Sequence, residues 1–185
     1  MPTKRRKVLL KAFSVICNTF ATMKMLMVCL GNICRSPLAE GILRHQAQSH
    51  GLNWELDSAG TGNWHVNEPP HHLSIKVAAM NGIDISTQRA RQFFKEDFER
   101  FYKIWVMDNS NYAEVKRMAG SYWQEEKIDL LLNALHPQQN QEVPDPWYGT
   151  EAGYHDVFAL IQNACTRIIE QYNTNQPNHT SLNAF

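Results

Sequence analysis

The chain has 185 residues, enough for one sizeable hydrophobic core and short for two domains of ordinary size. Its 18 Lys and Arg residues balance its 18 Asp and Glu residues, and no long basic run follows the first few positions, so we do not expect nucleic acid as a partner. The four cysteines include no Cys-x-x-Cys pair, in a chain large enough to fold without disulfides. This pattern favours a reducing, cytoplasmic setting.

Basic residues at 4–7 precede an apolar stretch at 8–17, which superficially resembles a secretory signal. Lys11 interrupts the stretch, no small-x-small cleavage site follows it, and it is shorter than the roughly 20 residues that span a bilayer. We therefore expect residues 1–23 to be an extension outside the core, and we expect no membrane association. Three methionines near the first predicted strand leave open an internal start: Met23, Met25 and Met27.

From residue 24 onward the sequence alternates between strand and helix patterns. Short apolar runs predict four strands, at residues 25–30, 54–58, 102–107 and 127–132. Helical patterns predict helices at residues 36–50, 70–81, 111–118 and 157–172. Because interleaved strands and helices imply right-handed crossovers, we predict a single α/β domain over residues 24–174, in which helices flank a four-stranded parallel sheet on both faces. Residues 175–185 are predicted to form a polar tail.

Residues 28–37, Val-Cys-Leu-Gly-Asn-Ile-Cys-Arg-Ser-Pro, join the first predicted strand to the first predicted helix. Ser36 suits an N-cap and Pro37 the first helical position, so the preceding loop presents backbone N–H groups at the positive end of a helix. Gly31 permits a tight turn, and Asn32 tolerates left-handed geometry. These features predict a loop shaped in advance to bind a dianion.

Cys29 lies at the carboxyl end of the predicted strand, where α/β sheets bind ligands, and the helix N-terminus favours a thiolate there. Arg35 follows six positions later and offers a planar pair of donors to two phosphate oxygens. The Ser36 hydroxyl can stabilise the Cys29 sulfur as a leaving group. The competing interpretation is a tight turn with a buried cysteine and a surface arginine. A Walker nucleotide loop does not fit, because the Gly-Lys-Ser/Thr ending is missing.

Cleavage of a phosphate ester also needs a proton donor, and a positioned general acid contributes roughly 10²–10⁴ in rate. Asp145 is the candidate, within the run Val-Pro-Asp-Pro-Trp-Tyr-Gly at residues 143–149. Two prolines stiffen this segment, which can hold one carboxylate over a pocket edged by aromatic rings. Taken alone the segment is an ordinary proline turn, but the upstream motif favours a catalytic role.

The Cys-x5-Arg-Ser motif that opens the first helix and the late Asp-Pro-Trp-Tyr-Gly run together resemble the low-molecular-weight protein tyrosine phosphatases, over about residues 24–172. The resemblance implies hydrolysis of phosphotyrosine in protein substrates through a phosphocysteine intermediate, with no metal and no cofactor. By motif matching it implies that Cys29 is the nucleophile, Arg35 the phosphate binder and Asp145 the general acid.

The resemblance also implies supporting roles for other residues. The phosphate loop and its supports are Leu30, Gly31, Asn32, Ile33, Cys34, Ser36 and Ser58. The walls of an aryl slot are Leu30, Trp64, Trp147 and Tyr148, with plain core packing as the alternative for Trp147. Many family members have a histidine just before the glycine that ends the second helix, hydrogen-bonded to the loop asparagine. Asn81 stands at that position here and is the predicted replacement brace.

Two further features have competing interpretations. Cys34 can capture a Cys29 sulfenate and protect it from irreversible oxidation, or it can be a small buried apolar residue. His71 and His72 suggest a metal site, but adjacent helical residues do not share a face, so we expect two exposed helix residues.

Two alternative functions, each from a different class of protein, compete with the phosphatase interpretation. A thiol-dependent arsenate reductase of this fold needs further cysteines in the middle of the chain, and residues 36–164 contain none. A catalytically silent phosphotyrosine-binding module is expected to lose the nucleophile or the acid, whereas both Cys29 and Asp145 are retained. The sequence therefore predicts a protein tyrosine phosphatase, and it gives no indication of an oligomeric state.

Overall fold

A computed structural model describes residues 22–175. Its four strands are β1 (Lys24–Cys29), β2 (Glu55–Gly60), β3 (Lys103–Val106) and β4 (Ile128–Leu130). Its helices are α1 (Arg35–Ser49), α2 (His72–Met80), α3 (Asp97–Arg100), α4 (Asn109–Ala119) and α5 (Glu151–Asn175). All neighbouring strands are parallel, in the order β2-β1-β3-β4. The predicted four-stranded parallel sheet is therefore confirmed.

The interior strand β1 divides its side chains between two cores, because successive side chains of a strand point to opposite faces. Met25 and Met27 pack into a core shared with α1, α2 and α5. Leu26 and Val28 pack into a second core with α3 and α4, and both are fully buried. Helices therefore cover both faces of the sheet, as predicted. The carboxyl end of β1 lies between its neighbours β2 and β3.

The structure departs from the predicted elements mainly at their ends. The fourth strand is only three residues long and turns into a 3₁₀ helix at Leu131–Ala134. The last helix begins at Glu151 rather than at residue 157. Its first turn was not predicted, because that turn is polar, includes Gly153 and shows little apolar periodicity. The short helix α3 was not predicted.

The predicted extension at residues 1–23 and tail at 175–185 lie almost entirely outside the described residues. Their limits stay predictions. Within residues 22–175, no helix combines the length and the apolar character that crossing a bilayer requires.

Candidate active site

The loop between β1 and α1 surrounds the sulfur of Cys29. Cys29 is buried at the end of β1, and its Sγ lies 3.0 Å from Ser36 Oγ. The helix begins at Arg35, with Cys34 at the N-cap position and no side-chain cap. The prediction that Ser36 caps α1 is therefore wrong. Its hydroxyl sits inside the first turn, and it points to the cysteine sulfur instead of to a backbone N–H.

Asn32 fixes the shape of this loop from its interior. It adopts the predicted left-handed conformation, with φ of 55°. Its Nδ2 donates to Ser36 Oγ and to Ser58 Oγ, both at 2.9 Å, and its Oδ1 accepts from the backbone N–H of Arg91 at 2.9 Å. Because Ser36 Oγ accepts from Asn32, it can donate its one hydrogen either to the Cys29 sulfur at 3.0 Å or to Ala59 O at 3.4 Å.

A buried carboxylate extends this network away from the cysteine. Ser58 Oγ donates to Glu40 Oε2 at 2.5 Å, and Arg44 Nη2 donates to the other oxygen of Glu40. Burial raises the pKa of Glu40, although Arg44 and Ser58 counteract the shift. Ser58 thus braces the loop as predicted, and Glu40 orients its hydroxyl. No sequence motif indicated Glu40.

The predicted brace from Asn81 is not found among residues 22–175. The amide of Asn81 donates to Val77 O at 2.8 Å, within the last turn of α2. Instead, the backbone N–H of Arg91 donates the hydrogen bond to Asn32 Oδ1. The side chain of Arg91 is held by Asp57 and Asp97 at 2.8 and 2.9 Å. A backbone donor has no sequence signature, so this brace could not be predicted.

Arg35 lies under the cavity, with its side chain only 4% exposed. Its Nη1 donates to Asp108 Oδ2 at 2.6 Å and to Val143 O at 3.0 Å, and its Nη2 donates to Asp145 Oδ2 at 3.0 Å. Burial acts to lower the pKa of Arg35, but Cys29, Asp145 and Asp108 more than offset this and raise it. The guanidinium therefore stays charged beside the cysteine.

Asp108 is a site residue that the sequence reasoning missed. It follows β3, the neighbour of β1, so its side chain emerges at the same edge of the sheet as Cys29. Its Oδ1 also caps α4 by accepting from the N–H of Asn111 at 2.7 Å. The rule that α/β sites form at the carboxyl ends of neighbouring strands is the signal that could have found it.

Asp145 and the predicted aromatic walls meet around one cavity of about 200 Å³. The Asp145 carboxylate is 41% exposed, and its Oδ1 accepts from the N–H of Trp147 at 3.1 Å. The lining residues are Cys29, Leu30, Gly31, Ile33, Cys34, Arg35, Trp64, His65, Asp145, Trp147 and Tyr148. Buried Cys29 and Arg35 form its floor, and exposed Trp64, Trp147 and Tyr148 form its rim. Core packing of Trp147 is thereby excluded.

Two lining residues of the cavity, Cys34 and Trp147, contact groups outside it that the sequence did not connect with the site. Cys34 Sγ lies 3.5 Å from the hydroxyl of Tyr154, and burial raises the pKa of Cys34 from 9.0 to about 12. The His71 ring stacks on Tyr154 and meets Trp147 edge-on. His71 is partly buried at the N-cap of α2, where burial lowers its pKa, so the prediction that it is exposed is wrong. His72 is exposed as predicted.

The donor set of the site does not suggest a metal centre. In the part of the chain that the structure describes, no three His, Cys, Asp or Glu side chains are grouped so as to hold an ion.

Comparison with known proteins agrees with this geometry. The family model described as low molecular weight phosphotyrosine protein phosphatase matches residues 24–178, and the chain belongs to this family. The human low molecular weight phosphotyrosine protein phosphatase is 35% identical over 153 residues, which cover 82% of this chain and 96% of the human one.

Two solved structures extend the comparison. The crystal structure of YfkJ from Bacillus subtilis, a low molecular weight protein-tyrosine-phosphatase, is similar with a TM-score of 0.78 and 34% identity. It covers 85% of this chain and 98% of YfkJ. The structure of an arginine phosphatase from Drosophila is similar with a TM-score of 0.76 and 31% identity, covering 83% of this chain and all of that one.

Proposed function

We propose that this chain is a protein tyrosine phosphatase that hydrolyses phosphotyrosine through a phosphocysteine intermediate, without a metal or a cofactor. The observation that carries the proposal is the joint placement of Cys29, Arg35 and Asp145 around one cavity, with the cysteine sulfur at the carboxyl end of β1. Family membership supports the same reaction.

The first half of the reaction follows from this placement. The substrate phosphate lies against the loop N–H groups, and the guanidinium of Arg35 binds two of its oxygens. To do so, Arg35 Nη2 exchanges its present partner, Asp145, for phosphate. The released Asp145 carboxylate takes up a proton from solvent. As a carboxylic acid it then gives this proton to the departing phenolic oxygen, while the P–O bond breaks and the S–P bond of Cys29 forms.

The second half uses the same groups in reverse. Asp145 accepts a proton from water as the water oxygen attacks phosphorus, and the S–P bond breaks. The departing Cys29 sulfur receives the hydrogen bond that Ser36 Oγ can donate across 3.0 Å. Phosphate leaves, and the thiolate is restored.

The walls of the cavity favour an aryl group over a guanidinium group. Leu30, Trp64 and Trp147 contribute apolar and aromatic surface, and Asp145 is the only carboxylate among the lining residues. A phosphoarginine side chain, the substrate class named for the Drosophila relative, carries a guanidinium group that is best recognised by further carboxylates. A phosphate bound by the buried Cys29 and Arg35 would lie at the floor of the cavity, so we expect the shorter phosphoserine side chain to be a poorer substrate.

The setting of the enzyme is also part of the proposal. Cys29, Cys34 and Cys165, the cysteines among residues 22–175, are all free thiols, which fits a reducing compartment such as the cytoplasm. The retained nucleophile and acid argue against a silent binding module, and the lack of cysteine between residues 36 and 164 argues against an arsenate reductase.

The test compares phosphotyrosine, phosphoserine and phosphoarginine peptides in the presence of a chelator. We expect hydrolysis of the phosphotyrosine peptide, its loss in Cys29→Ser, and a fall of roughly 10²–10⁴ in Asp145→Asn. Folding of each variant is checked by circular dichroism. Folded wild-type protein without activity on the phosphotyrosine peptide would refute the proposal, and preference for phosphoarginine would reassign the substrate.

A further inference from the structure

A second groove lies directly beside the aryl slot and shares two of its walls, Leu30 and Trp64. It has a volume of about 490 Å³. Its remaining lining residues are Thr61, Gly62, Ser110, Ala113, Glu114 and Arg117. None of these six takes part in the reaction described above, so the groove has no role in the chemistry itself.

The groove is tied to the phosphate loop through the backbone. The N–H of Thr61 donates to Cys29 O at 2.9 Å, and the N–H of Gly62 donates to Leu30 O at 2.8 Å. A ligand that lies in the groove is therefore held at a fixed distance from the cysteine. The two recesses are therefore neighbours, with Leu30 and Trp64 as shared walls.

One face of α4 forms the far wall of this groove. Ser110, Ala113, Glu114 and Arg117 are spaced three, one and three positions apart, so they share a stripe of the helix. Ser110 and Ala113 are exposed and small, which leaves room above the helix. The residues that hold α4 against the sheet, such as Val115, lie on another face.

Arg117 stands at the edge of the groove with part of its guanidinium uncommitted. Its Nε and Nη2 donate to Glu114 at 2.9 and 2.5 Å, and its side chain is 72% exposed. Within residues 22–175 its Nη1 has no hydrogen-bond partner. Exposed ion pairs of this kind contribute little to stability, so the pair with Glu114 does not prevent Arg117 from binding a ligand in the groove. The free donors suit a carboxylate.

We propose that this groove binds the polypeptide segment next to the phosphotyrosine of a protein substrate, and that Arg117 selects an acidic side chain on that segment. The inference rests on the proposed function. When a phosphotyrosine ring fills the slot, its backbone leaves the mouth beside Leu30 and Trp64. The groove continues from those two residues, so the neighbouring segment can lie along α4 without leaving the surface.

The test uses three substrates and three variants. The substrates are p-nitrophenyl phosphate, a phosphotyrosine peptide with Asp and Glu on both sides, and the same peptide with Ala at those positions. Arg117→Glu reverses the charge at the groove, and Ala113→Trp fills the groove without a change of charge. Lys116→Glu is the matched control, because Lys116 lies over the Trp123 ring and does not line the groove.

We expect Arg117→Glu to lower kcat/KM for the acidic peptide by roughly two- to fivefold, as for a surface charge pair, and to leave p-nitrophenyl phosphate unchanged. Ala113→Trp should lower kcat/KM for both peptides but not for the small ester. Lys116→Glu should change every value by less than about twofold. Equal effects of Arg117→Glu and Lys116→Glu would overturn the proposal, since they would indicate a general electrostatic field.

A binding measurement separates this proposal from the proposed function. Fluorescence anisotropy gives the affinity of the labelled acidic peptide for Cys29→Ser protein, with and without Arg117→Glu, and needs no turnover. Weaker binding with Arg117→Glu supports the groove, and unchanged binding refutes it. Failure of wild-type protein to hydrolyse p-nitrophenyl phosphate would refute the phosphatase reaction instead.

Discussion

Asp108 is expected to hold Arg35 in its phosphate-binding position, and Asp108→Asn isolates that role. Asp108 has two functions in the structure, because Oδ2 accepts from Arg35 Nη1 at 2.6 Å and Oδ1 caps α4 at Asn111. Asparagine is about as good an N-cap as aspartate, so the cap is retained. With the asparagine oxygen facing Asn111, its NH2 group replaces Oδ2, so the substitution removes both the negative charge and the hydrogen-bond acceptor opposite the guanidinium.

The size of the effect follows from the burial of the pair. The two side chains are only 4% and 16% exposed, so the ion pair is poorly screened by water. A hydrogen bond to a charged group contributes roughly 1.5–3 kcal/mol, and an asparagine whose oxygen caps α4 has no acceptor left for Arg35. Since about 1.4 kcal/mol is a factor of ten, we expect kcat/KM to fall by roughly 10- to 100-fold.

The assay measures kcat/KM for p-nitrophenyl phosphate beside the free energy of unfolding in urea. Asp108→Ala is the companion variant, and it should lose about 1 kcal/mol more stability than Asp108→Asn because it also removes the cap. Wild-type kcat/KM in folded Asp108→Asn would refute the role that we assign to this ion pair.

Three other predictions concern the loop, its second cysteine and the slot. In Gly60→Ala the new Cβ would lie 2.8 Å from Leu30 O, so the phosphate loop must shift; we expect at least a tenfold fall in kcat/KM, and a wild-type value would contradict this. Burial raises the pKa of Cys34 from 9.0 to about 12, so the folded state favours the neutral thiol. The free energy of unfolding is therefore unaffected by this thiol below about pH 9 and falls as the pH rises from 9 toward 12, because the thiol ionises first in the unfolded chain. Urea unfolding at pH 9 and pH 10 measures this effect: the free energy of unfolding should fall by about 1 kcal/mol less in Cys34→Ser than in wild type. The same fall in both proteins would argue against a raised pKa of Cys34. Trp64→Ala should raise KM for phosphotyrosine roughly two- to tenfold and leave inhibition by inorganic phosphate unchanged; equal weakening of both would remove Trp64 from the aryl wall.

The redox interpretation of Cys34 stays a prediction. Its buried neutral thiol is a weak nucleophile at neutral pH, so capture of a Cys29 sulfenate requires a change in its surroundings near Tyr154. If Cys34 protects Cys29, peroxide inactivation of Cys34→Ser should reverse less fully with thiol than that of wild type. Equal recovery would assign Cys34 a packing role only.

The site could be predicted from the sequence where one short segment contains both the local structural signals and the reactive residues. The run at residues 28–37 contains a buried strand end, a turn with a left-handed Asn32 and a helix start, so Cys29 and Arg35 could be placed from spacing alone. The parallel sheet could also be predicted, because each strand alternates with a helical pattern.

The residues that the sequence did not reveal act through contacts between distant segments. Asp108 meets Arg35 across 73 positions, and the N–H of Arg91 meets Asn32 across 59. Such pairs depend on strand order and loop path, which local periodicity does not encode. The misassigned Asn81 shows the same limit, because it was placed by analogy along the chain and the structure turns its amide back into α2.

The most direct test of the central claim is to identify the phosphorylated atom during turnover. The Asp145→Asn variant with p-nitrophenyl phosphate is suited to this measurement. The nitrophenolate leaving group of this substrate needs little protonation, whereas hydrolysis of the phosphocysteine still needs a base, so the intermediate should accumulate. Rapid acid quenching followed by mass spectrometry of the peptides should find the phosphoryl group on Cys29. Phosphate on another residue, or steady turnover with Cys29 unmodified at all quench times, would contradict the phosphocysteine mechanism.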